Sequence, residues 1–442
     1  MSDRYGEAVR ASEDMLALIL GDVHPDPELL AKQAVDDHVN HYTPGLVNYR
    51  KSVTETEDYA ATEWSGFGSI VEDAAGREWI DCLGGYGIYS LGIRPPEVLA
   101  AVQAQLARNP MPTQELIDPM RGMLVRLLSQ ISPGDISHSF ICNSGTEAVE
   151  GAMKVAKVYS GKHGFVAANA GFHGKTQGAL SLMGKESFRD PFFPLLPGVH
   201  HVPFGDAEAV DAILSKHSHE IAAVIMEPIQ GEAGAVVPPE SYWPALREIC
   251  DRHDVLLIAD EVQTGLGRTG ELWGVDHWGV VPDILCVAKA LGGGVMPVGA
   301  FMGRPHIWKA LERNPFLHTS TFGGNPLASV AAIASIHQIL RDRLWEEAAR
   351  KGERFTVGLR QLQTRYPSVL TGVQGRGLLL GMMFPDHETG YRVAAGLFRA
   401  GVLVAGTQLS ATTIRIEPAF TIPDALIDEV LLRLDGVLHS IS

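Results

Sequence analysis

The stretch Val255-Leu-Leu-Ile-Ala-Asp-Glu-Val-Gln-Thr-Gly265 is the strongest indication of the fold in this chain. In it, an apolar run ends abruptly at two carboxylates, Asp260 and Glu261. The apolar part, Val255–Ala259, has the length and composition of a strand that is buried on both faces of a sheet. Open α/β sheets bind their ligands beyond the carboxyl ends of their strands, so we expect Asp260 to lie beside a ligand. An aspartate that caps the following turn explains the same pattern equally well.

Apolar runs of this kind recur through the middle of the chain and alternate with amphipathic stretches. One amphipathic stretch is Glu147–Tyr159, in which apolar residues return at helical spacing. The apolar runs are Ser139–Cys142, Ala222–Met226, Val255–Ala259 and Ile284–Val287. Strands that alternate with helices predict βαβ units, and therefore an α/β fold with a mainly parallel sheet.

The chain has 442 residues, which is too long for one compact core. We expect an N-terminal arm at residues 1–59, a large domain with the mainly parallel sheet at residues 60–328, and a smaller α+β C-terminal domain at residues 329–442. In the smaller domain the pattern predicts two strands and a closing helix, at Leu378–Phe384, Thr413–Glu417 and Pro423–His439.

Composition argues against several classes of function. The formal net charge of -16 speaks against a nucleic-acid partner, because phosphate backbones bind clustered Lys and Arg. No apolar stretch approaches the roughly 20 residues that cross a bilayer. The N-terminal residues lack the apolar core of a secretory signal, so we expect a cytoplasmic protein with no membrane partner. The four cysteines show no C-x-x-C spacing, which favours buried thiols over disulfides, and no metal site is predicted.

The segment Pro282-Asp-Ile-Leu-Cys-Val-Ala-Lys-Ala-Leu-Gly-Gly-Gly294 places one lysine between an apolar strand and three glycines. An amine in a desolvated pocket has a lowered pKa, which a lysine that forms a Schiff base requires. The competing explanation for Lys289 is an ordinary surface lysine at a strand end. The apolar run and the glycines weaken that explanation without excluding it.

Two further segments suit a phosphate. In Cys142-Asn-Ser-Gly-Thr-Glu-Ala148, small residues lead from a strand into a helix, so Ser144, Gly145 and Thr146 would face an anion at the helix N-terminus. An ordinary N-cap explains that segment as well. In Leu317-His-Thr-Ser-Thr-Phe-Gly-Gly-Asn-Pro326, hydroxyls precede a double glycine. The alternatives there are a second phosphate clamp and a hydroxyl-rich turn.

Together these four segments resemble the signature of the class III (ω-type) aminotransferases, which belong to the fold-type I enzymes that depend on pyridoxal phosphate. The most specific stretch is Ile258–Gly270, followed at the expected distance by Ala288–Gly294. The likeness extends from about Asn48 to the C-terminus. The resemblance implies a fold-type I architecture, bound pyridoxal 5'-phosphate and transfer of an amino group.

Four segments outside this signature resemble the bacterial putrescine aminotransferases within the class: Asn48–Thr54, Ile80–Ile88, Pro194–Gly205 and Ala405–Thr407. This resemblance implies a diamine donor, putrescine or cadaverine, and a 2-oxo acid acceptor, with 2-oxoglutarate expected. Ornithine, acetylornithine and 4-aminobutyrate aminotransferases of the same class are alternatives. A regulator that binds pyridoxal phosphate is another, although the acidic N-terminal region offers no basic DNA-binding element.

The resemblance also assigns roles to single positions. Lys289 would bind the cofactor as a Schiff base and move protons, Asp260 would pair with the pyridinium nitrogen, and Gln263 would lie near the phenolic oxygen. Contacts with the cofactor are also implied for Ser144, Gly145, Thr146, Phe172, His173 and, from the other subunit, Thr321. A packing role in the core competes for Phe172.

Arg415 and Glu232 are implied to let one pocket take two substrates. Arg415 would grip the α-carboxylate of the oxo acid, and Glu232 would cover Arg415 when an amine without that carboxylate binds. A structural salt bridge is the alternative. Two half-reactions, between the pyridoxal and pyridoxamine forms of the cofactor, would give ping-pong kinetics. Because Thr321 would serve the neighbour's cofactor, we expect a homodimer or a dimer of dimers.

Overall fold

A computed structural model describes residues 4–407 and 412–442 of the chain. Its strands, in chain order, are β1 Ser65–Phe67, β2 Ile70–Glu72, β3 Glu78–Asp81, β4 His138–Cys142, β5 Gly164–Ala168, β6 Val199–Val202, β7 Ile221–Met226, β8 Leu256–Asp260, β9 Ile284–Val287, β10 Gly299–Gly303, β11 Gly372–Arg376, β12 Leu379–Met383, β13 Val402–Leu403, β14 Ala405–Gly406 and β15 Thr413–Ile416. Its α-helices are α1 Arg4–Leu20, α2 Pro27–Asp37, α3 Pro44–Val47, α4 Lys51–Thr54, α5 Pro96–Leu106, α6 Pro119–Ile131, α7 Gly145–Ser160, α8 Gln177–Ser181, α9 Glu186–Arg189, α10 Ala207–His217, α11 Tyr242–His253, α12 Pro305–Glu312, α13 Pro326–Arg341, α14 Leu344–Arg365, α15 His387–Arg399 and α16 Asp424–Ile441. None of the helices in these two ranges has the length and apolar character that crossing a membrane requires. The four cysteines are buried free thiols.

Seven of these strands form the central sheet, in the order β4-β10-β9-β8-β7-β5-β6. Neighbouring strands from β9 to β6 are parallel, whereas β10 is antiparallel to both β9 and β4. Because β10 runs against both of its neighbours, β4 points the same way as β9. The carboxyl ends of β4, β5, β7, β8 and β9 therefore lie at one edge, and the prediction of an α/β fold with a mainly parallel sheet is confirmed.

The central strands are apolar because helices cover the sheet on both faces. Every residue of β7 and β8 is buried, as expected for strands with no face in water. Along β7, Ala223 and Ile225 pack into one cluster with residues of α7 and α12. The alternate residues Val224 and Met226 pack into a second cluster with residues of α10 and α11. This alternation is the two-residue period of a strand between two layers of helices.

The predicted strands of the central sheet are confirmed with small shifts. The four apolar runs correspond to β4, β7, β8 and β9, with bounds that differ by at most one residue. The helix predicted at Glu147–Tyr159 is α7. The predicted runs did not include β5, β6 or β10. Of these, β10, Gly299–Gly303, is short and has glycine at both ends. Glycine disfavours strands, so only pairing with β4 and β9 defines β10.

Two four-stranded sheets complete the fold. One is the antiparallel sheet β11-β12-β15-β14 in the C-terminal region, where the sequence predicted only two strands. The other, β1-β2-β3-β13, takes its last strand from that same region, since Val402 and Leu403 pair in parallel with Ile80 and Asp81. The pairing joins distant parts of the chain. The division into an arm and two domains at residues 59 and 328 stays a prediction.

Arg268, in the loop after β8, ties the central sheet to the C-terminal region. Its Nη1 donates to the carbonyl oxygens of Leu378 (3.1 Å) and Pro418 (2.6 Å), and its Nη2 donates to Ser90 Oγ (2.9 Å). The guanidinium also lies over the ring of Phe420, 4.6 Å from its centroid. Burial lowers the pKa of Arg268 to about 10, against nearby carboxylates that raise it. Arg268 therefore stays charged at neutral pH and satisfies three buried oxygens.

We expect Arg268→Met to lower the free energy of unfolding by about 2–4 kcal/mol, because buried carbonyl groups lose their donor. Urea unfolding followed by tryptophan fluorescence measures the change. Arg365→Met is the matched control, since Arg365 lies at the surface and pairs with Asp435 at 2.6 Å. The control variant is expected to unfold almost as the wild type does, because an exposed ion pair contributes little to stability. Equal losses in the two variants would contradict the role given to Arg268.

Candidate active site

A cavity of about 660 Å³ lies at the edge of the central sheet where the carboxyl ends of the strands meet. Its walls come largely from the segments that follow β4, β5, β7, β8 and β9. The structure brings together in these walls the predicted residues Ser144, Gly145, Thr146, Phe172, His173, Asp260, Gln263 and Lys289. The volume is in the usual range of about 300–1,000 Å³ for small-molecule sites.

Lys289 follows β9 and reaches the cavity from a tight turn. Its backbone φ is +46°, in the left-handed region that residues with side chains rarely adopt. Burial lowers the pKa of the Lys289 amine, while the charges of Glu417 and Glu232 oppose that effect. At neutral pH a larger share of this amine is unprotonated than in an exposed lysine. The explanation of Lys289 as a surface lysine is therefore wrong.

Asp260 ends β8, and its carboxylate is 4% exposed beside His173. Its Oδ2 lies 2.7 Å from His173 Nδ1, and its Oδ1 accepts from the backbone N–H of Val262 at 3.1 Å. The aspartate thus caps the following turn and also faces the cavity. Burial lowers the pKa of His173, but the hydrogen bond and charge of Asp260 outweigh it, so that the pKa is raised overall. Among the described residues, His173 Nε2 has no hydrogen-bond partner.

Glu227 is a buried carboxylate in the cavity wall that the sequence analysis did not single out. Its Oε1 accepts from the backbone N–H of Phe172 at 2.9 Å, and its Oε2 accepts from that of Gly231 at 3.1 Å. Burial raises the pKa of Glu227 to about 7, although the charge of His173 lowers it. The available signal was the one used for Asp260: a carboxylate directly after an apolar strand.

The N-terminus of α7 faces the cavity with free backbone N–H groups. Ser144 is its N-cap, since Ser144 Oγ accepts from the N–H of Glu147 at 3.3 Å, so the capping explanation is confirmed for this residue. The N–H groups of Gly145 and Thr146 lie in the first turn and have no acceptor within the helix, which leaves them available to an anion. Glycine is also required at 145 by packing, because a Cβ there would lie 2.7 Å from Val262 Cγ1.

The hydroxyl of Thr146 belongs to a chain of hydrogen bonds that ends at Glu150. Thr176 Oγ1 donates to Glu150 Oε1 at 2.6 Å, and Thr146 Oγ1 lies 2.7 Å from Thr176 Oγ1. Because Thr176 uses its only hydroxyl proton on the carboxylate, Thr146 is the donor to Thr176. Thr146 therefore offers an anion its backbone N–H, because its hydroxyl proton is used on Thr176.

Arg415 and Glu232, predicted as a pair, form a buried ion pair at 2.7 Å between Nη2 and Oε1. The Arg415 guanidinium also lies over the ring of Tyr86, 5.2 Å from its centroid. Its Nε and Nη1 make no hydrogen bond within the described ranges. A second carboxylate, Glu417, lies 3.7 Å from Nη1. The sequence analysis missed Glu417, although it stands only two residues after Arg415.

Thr321 does not line the cavity of its own chain and is exposed. Its carbonyl oxygen accepts from Gln114 Nε2. The neighbouring Ser320 Oγ accepts from the N–H of Gly323 at 2.9 Å, and lies 3.3 Å from Asn143 Nδ2. Within one chain this segment is therefore a hydroxyl-rich turn, as one of the two explanations proposed.

The residues in the walls fit pyridoxal phosphate. The Lys289 amine with its lowered pKa can condense with an aldehyde. The Asp260 carboxylate retains lone pairs for a ring nitrogen beside its bonds to His173 and Val262. The free N–H groups at the start of α7 suit a phosphate.

Comparison with known proteins also indicates an aminotransferase. The family model described as "Aminotransferase class-III" matches residues 54–438. An ornithine aminotransferase from Toxoplasma gondii ME49 is 30% identical, covering 92% of this chain and 98% of that one, with a TM-score of 0.82. An amine transaminase from an uncultivated Pseudomonas species, in its PLP-bound form, is 30% identical, with 87% and 96% covered and a TM-score of 0.80. An (S)-enantioselective omega-transaminase from Thermomicrobium roseum is 28% identical, with 93% and 98% covered and a TM-score of 0.85.

We expect Asp260→Asn to lower the pKa of His173 below its ordinary value of 6.5, because burial then acts with less opposition. Titration of the histidine ring signals by NMR measures this shift. In the wild type the raised pKa adds stability that is complete below about pH 6.5 and is lost as the pH rises through the folded-state pKa. The variant's deficit in unfolding free energy should therefore be larger at about pH 5.5 than at about pH 8.

The control for this titration is Asp211→Asn, which removes the carboxylate 2.7 Å from His253 Nε2 near the surface. It should leave the His173 signal unchanged. An unaltered His173 titration in Asp260→Asn would refute the coupling between the two side chains.

Proposed function

The chain belongs to the class-III aminotransferase family, and on that premise we propose that it transfers the terminal amino group of a diamine, putrescine or cadaverine, to 2-oxoglutarate. The enzyme depends on pyridoxal phosphate, as the family and the PLP-bound Pseudomonas relative indicate. The observation that carries the proposal is the buried ion pair between Glu232 and Arg415.

This ion pair suits an amine whose reacting carbon carries no carboxylate. Such a donor brings no partner for Arg415, and Glu232 at 2.7 Å prevents a buried charge from being left unpaired. A 2-oxo acid brings its own carboxylate, which takes the place of Glu232 on the guanidinium. One pocket can then accept the two substrates in turn, as ping-pong transfer requires. The net charge of -16 favours the approach of a cationic diamine.

In this proposed reaction the residues of the cavity have different roles. When bound, pyridoxal phosphate supplies an aldehyde that takes up the amino group and a ring that delocalises electrons when a C–H bond is broken. Lys289 Nζ accepts the proton from the substrate carbon that bears nitrogen, because its lowered pKa leaves it partly unprotonated. Asp260, oriented by His173, favours a proton on the ring nitrogen. In the second half-reaction the same groups act in the reverse direction on the oxo acid.

Binding of the cofactor would use the remaining predicted residues. The backbone N–H groups of Gly145 and Thr146 would bind the phosphate at the start of α7. Phe172, half-buried in the cavity wall, would lie against the ring. Gln263 would lie near the phenolic oxygen, and Ser144 would support the phosphate end from its N-cap position.

We further propose that the active unit is a homodimer. Large apolar side chains are exposed on both sides of the bond between Gln114 and Thr321: Leu116, Ile117, Phe316 and Phe322. Exposed apolar patches of this kind mark protein interfaces. Because Thr321 is exposed and does not line its own cavity, a symmetric partner is the chain to whose phosphate site it would contribute.

Ornithine is the second candidate donor, favoured by the 30% identity to the Toxoplasma ornithine aminotransferase. Its terminal carbon also lacks a carboxylate, so the cover of Arg415 by Glu232 would serve ornithine as well. The resemblance of segments outside the signature, together with the acidic charge, favours the diamine. Ornithine and the diamines differ at the end of the molecule that is remote from the reacting amine, where ornithine carries a carboxylate.

The test is a comparison of putrescine, cadaverine, ornithine and 4-aminobutyrate as donors to 2-oxoglutarate, with glutamate as the measured product. We expect kcat/KM for the better diamine to exceed that for ornithine at least about tenfold, since the described residues that line the cavity include no arginine to pair with the carboxylate of ornithine. Lys289→Arg supplies the background rate, because a guanidinium does not condense with the aldehyde. Preference for ornithine would overturn the diamine proposal.

We expect Arg415→Gln to raise KM for 2-oxoglutarate at least about tenfold, because a charge-assisted bidentate contact is lost. The half-reaction with the amine should change less, since the amine makes no use of the guanidinium. Stopped-flow absorbance of each half-reaction separates the two effects. Arg376→Gln, which breaks the ion pair with Glu240, is the control. Equal losses in both half-reactions would assign Arg415 a structural role only.

A further inference from the structure

Glu417 is a buried carboxylate to which the proposed amino-group transfer assigns no role. It follows β15, and its side chain is 1% exposed. It lies close to the Lys289 side chain, and Gly87 lies beside them both. A methyl group added at Gly87 would lie 2.7 Å from Glu417 Oε1 and 3.5 Å from Lys289 Cδ. Its charge also raises the pKa of Lys289, against the larger effect of burial. Glu417 therefore acts on the site although it does not line the cavity.

The hydrogen bonds of this carboxylate come from a neutral group. Gln263 Nε2 donates to both oxygens, at 3.1 and 3.0 Å. The two nearest arginine atoms, Arg415 Nη1 and Arg268 Nε, lie farther away, at 3.7 and 3.9 Å. Arg268 directs its hydrogen bonds to Leu378, Pro418 and Ser90 instead. Within the described ranges Glu417 thus has no cation at hydrogen-bond distance, which is costly for a buried charge.

We propose that Glu417 is a specificity-determining residue that weakens the binding of carboxylates to Arg415 and so favours donors whose reacting carbon carries none. This inference rests on the proposed roles of Arg415 and Glu232. Arg415 lies between two carboxylates, Glu232 at 2.7 Å and Glu417 at 3.7 Å. Glu232 can give way to a substrate carboxylate, whereas Glu417 remains.

Glu417 remains in place because both its side chain and its backbone are held by hydrogen bonds. Its side chain accepts from Gln263 Nε2, and its backbone N–H donates to the carbonyl oxygen of Cys82 at 2.9 Å. A carboxylate that reaches Arg415 therefore meets a fixed negative charge, and repulsion between charges is strong where water is excluded. An amine such as putrescine brings no carboxylate to that point and avoids the penalty. The same repulsion would discriminate against glutamate as a donor.

A purely structural role for Glu417, as the residue that orients Gln263, makes a different prediction. Loss of that orientation would disturb the cofactor's surroundings and slow both half-reactions alike. Removal of a repelling charge instead strengthens carboxylate binding alone. The two roles therefore differ in the sign of their effect on carboxylates.

The experiment measures binding of glutarate, a dicarboxylate without the reactive carbonyl, to the holoenzyme by calorimetry. We expect Glu417→Gln to bind glutarate at least about tenfold more tightly than the wild type. The kcat/KM for 2-oxoglutarate should rise, while that for the best amine donor should not. Glu417→Met, which is also neutral and of similar length, carries the same prediction if Glu417→Gln fails to fold.

Glu261→Gln is the matched control. Glu261 is a fully buried carboxylate directly after β8, but it accepts from Thr264, Gly274 and Val275. Its neutralisation should leave glutarate binding unchanged. Unchanged or weaker glutarate binding in the Glu417 variants would overturn the inference. The donor comparison on the wild type decides the diamine proposal separately, because glutarate binding does not depend on which amine is the donor.

Discussion

The desolvation of one amine, that of Lys289, is the constraint on which the rest of the site depends. Burial lowers its pKa, yet the surrounding carboxylates raise it. The amine therefore stays reactive only if those carboxylates are engaged elsewhere. Asp260 is bound to His173, Glu232 is paired with Arg415, and Glu417 accepts from an amide. The partners of Asp260 and Glu232 can carry positive charge and limit how strongly these two residues keep the proton on the lysine, whereas Glu417 has a neutral partner and opposes the effect of burial most strongly.

Three buried carboxylates in and around the site have different hydrogen-bond partners, set by what surrounds them. Glu227 is satisfied by backbone N–H groups, and its pKa is raised to about 7 by burial. Asp260 faces an imidazole whose pKa it raises. Glu417 faces a neutral amide and lies just beyond hydrogen-bond distance of two arginines. One functional group thus serves as a loop anchor and, as we propose, as a partner for the cofactor ring and as a repelling charge.

The two substrates that we propose have opposite charges, which would explain why both a buried arginine and a buried glutamate act on the Lys289 amine. A diamine is cationic and an oxo acid is anionic, so neither a wholly acidic nor a wholly basic pocket would bind both. The buried pair of Arg415 and Glu232 is neutral as a unit and can be opened by a carboxylate. Glu417 sets how readily this opening occurs. The balance between donor and acceptor would then depend on Arg415 and Glu417 in one short segment and on Glu232 from a distant one.

From the amino-acid sequence alone, four strands of the central sheet and the reactive residues that follow them could be predicted. An apolar run before Asp260 or Lys289 needs no tertiary context to be recognised, because a strand buried on both faces has to be apolar. The antiparallel β10 and the strand that β13 adds to β3 were decided only by pairing across the chain. Tertiary structure alone also decided the roles of Glu227 and Glu417. Whether a carboxylate repels, anchors or pairs depends on which donors lie within about 3–4 Å, and those donors come from segments far away in the chain.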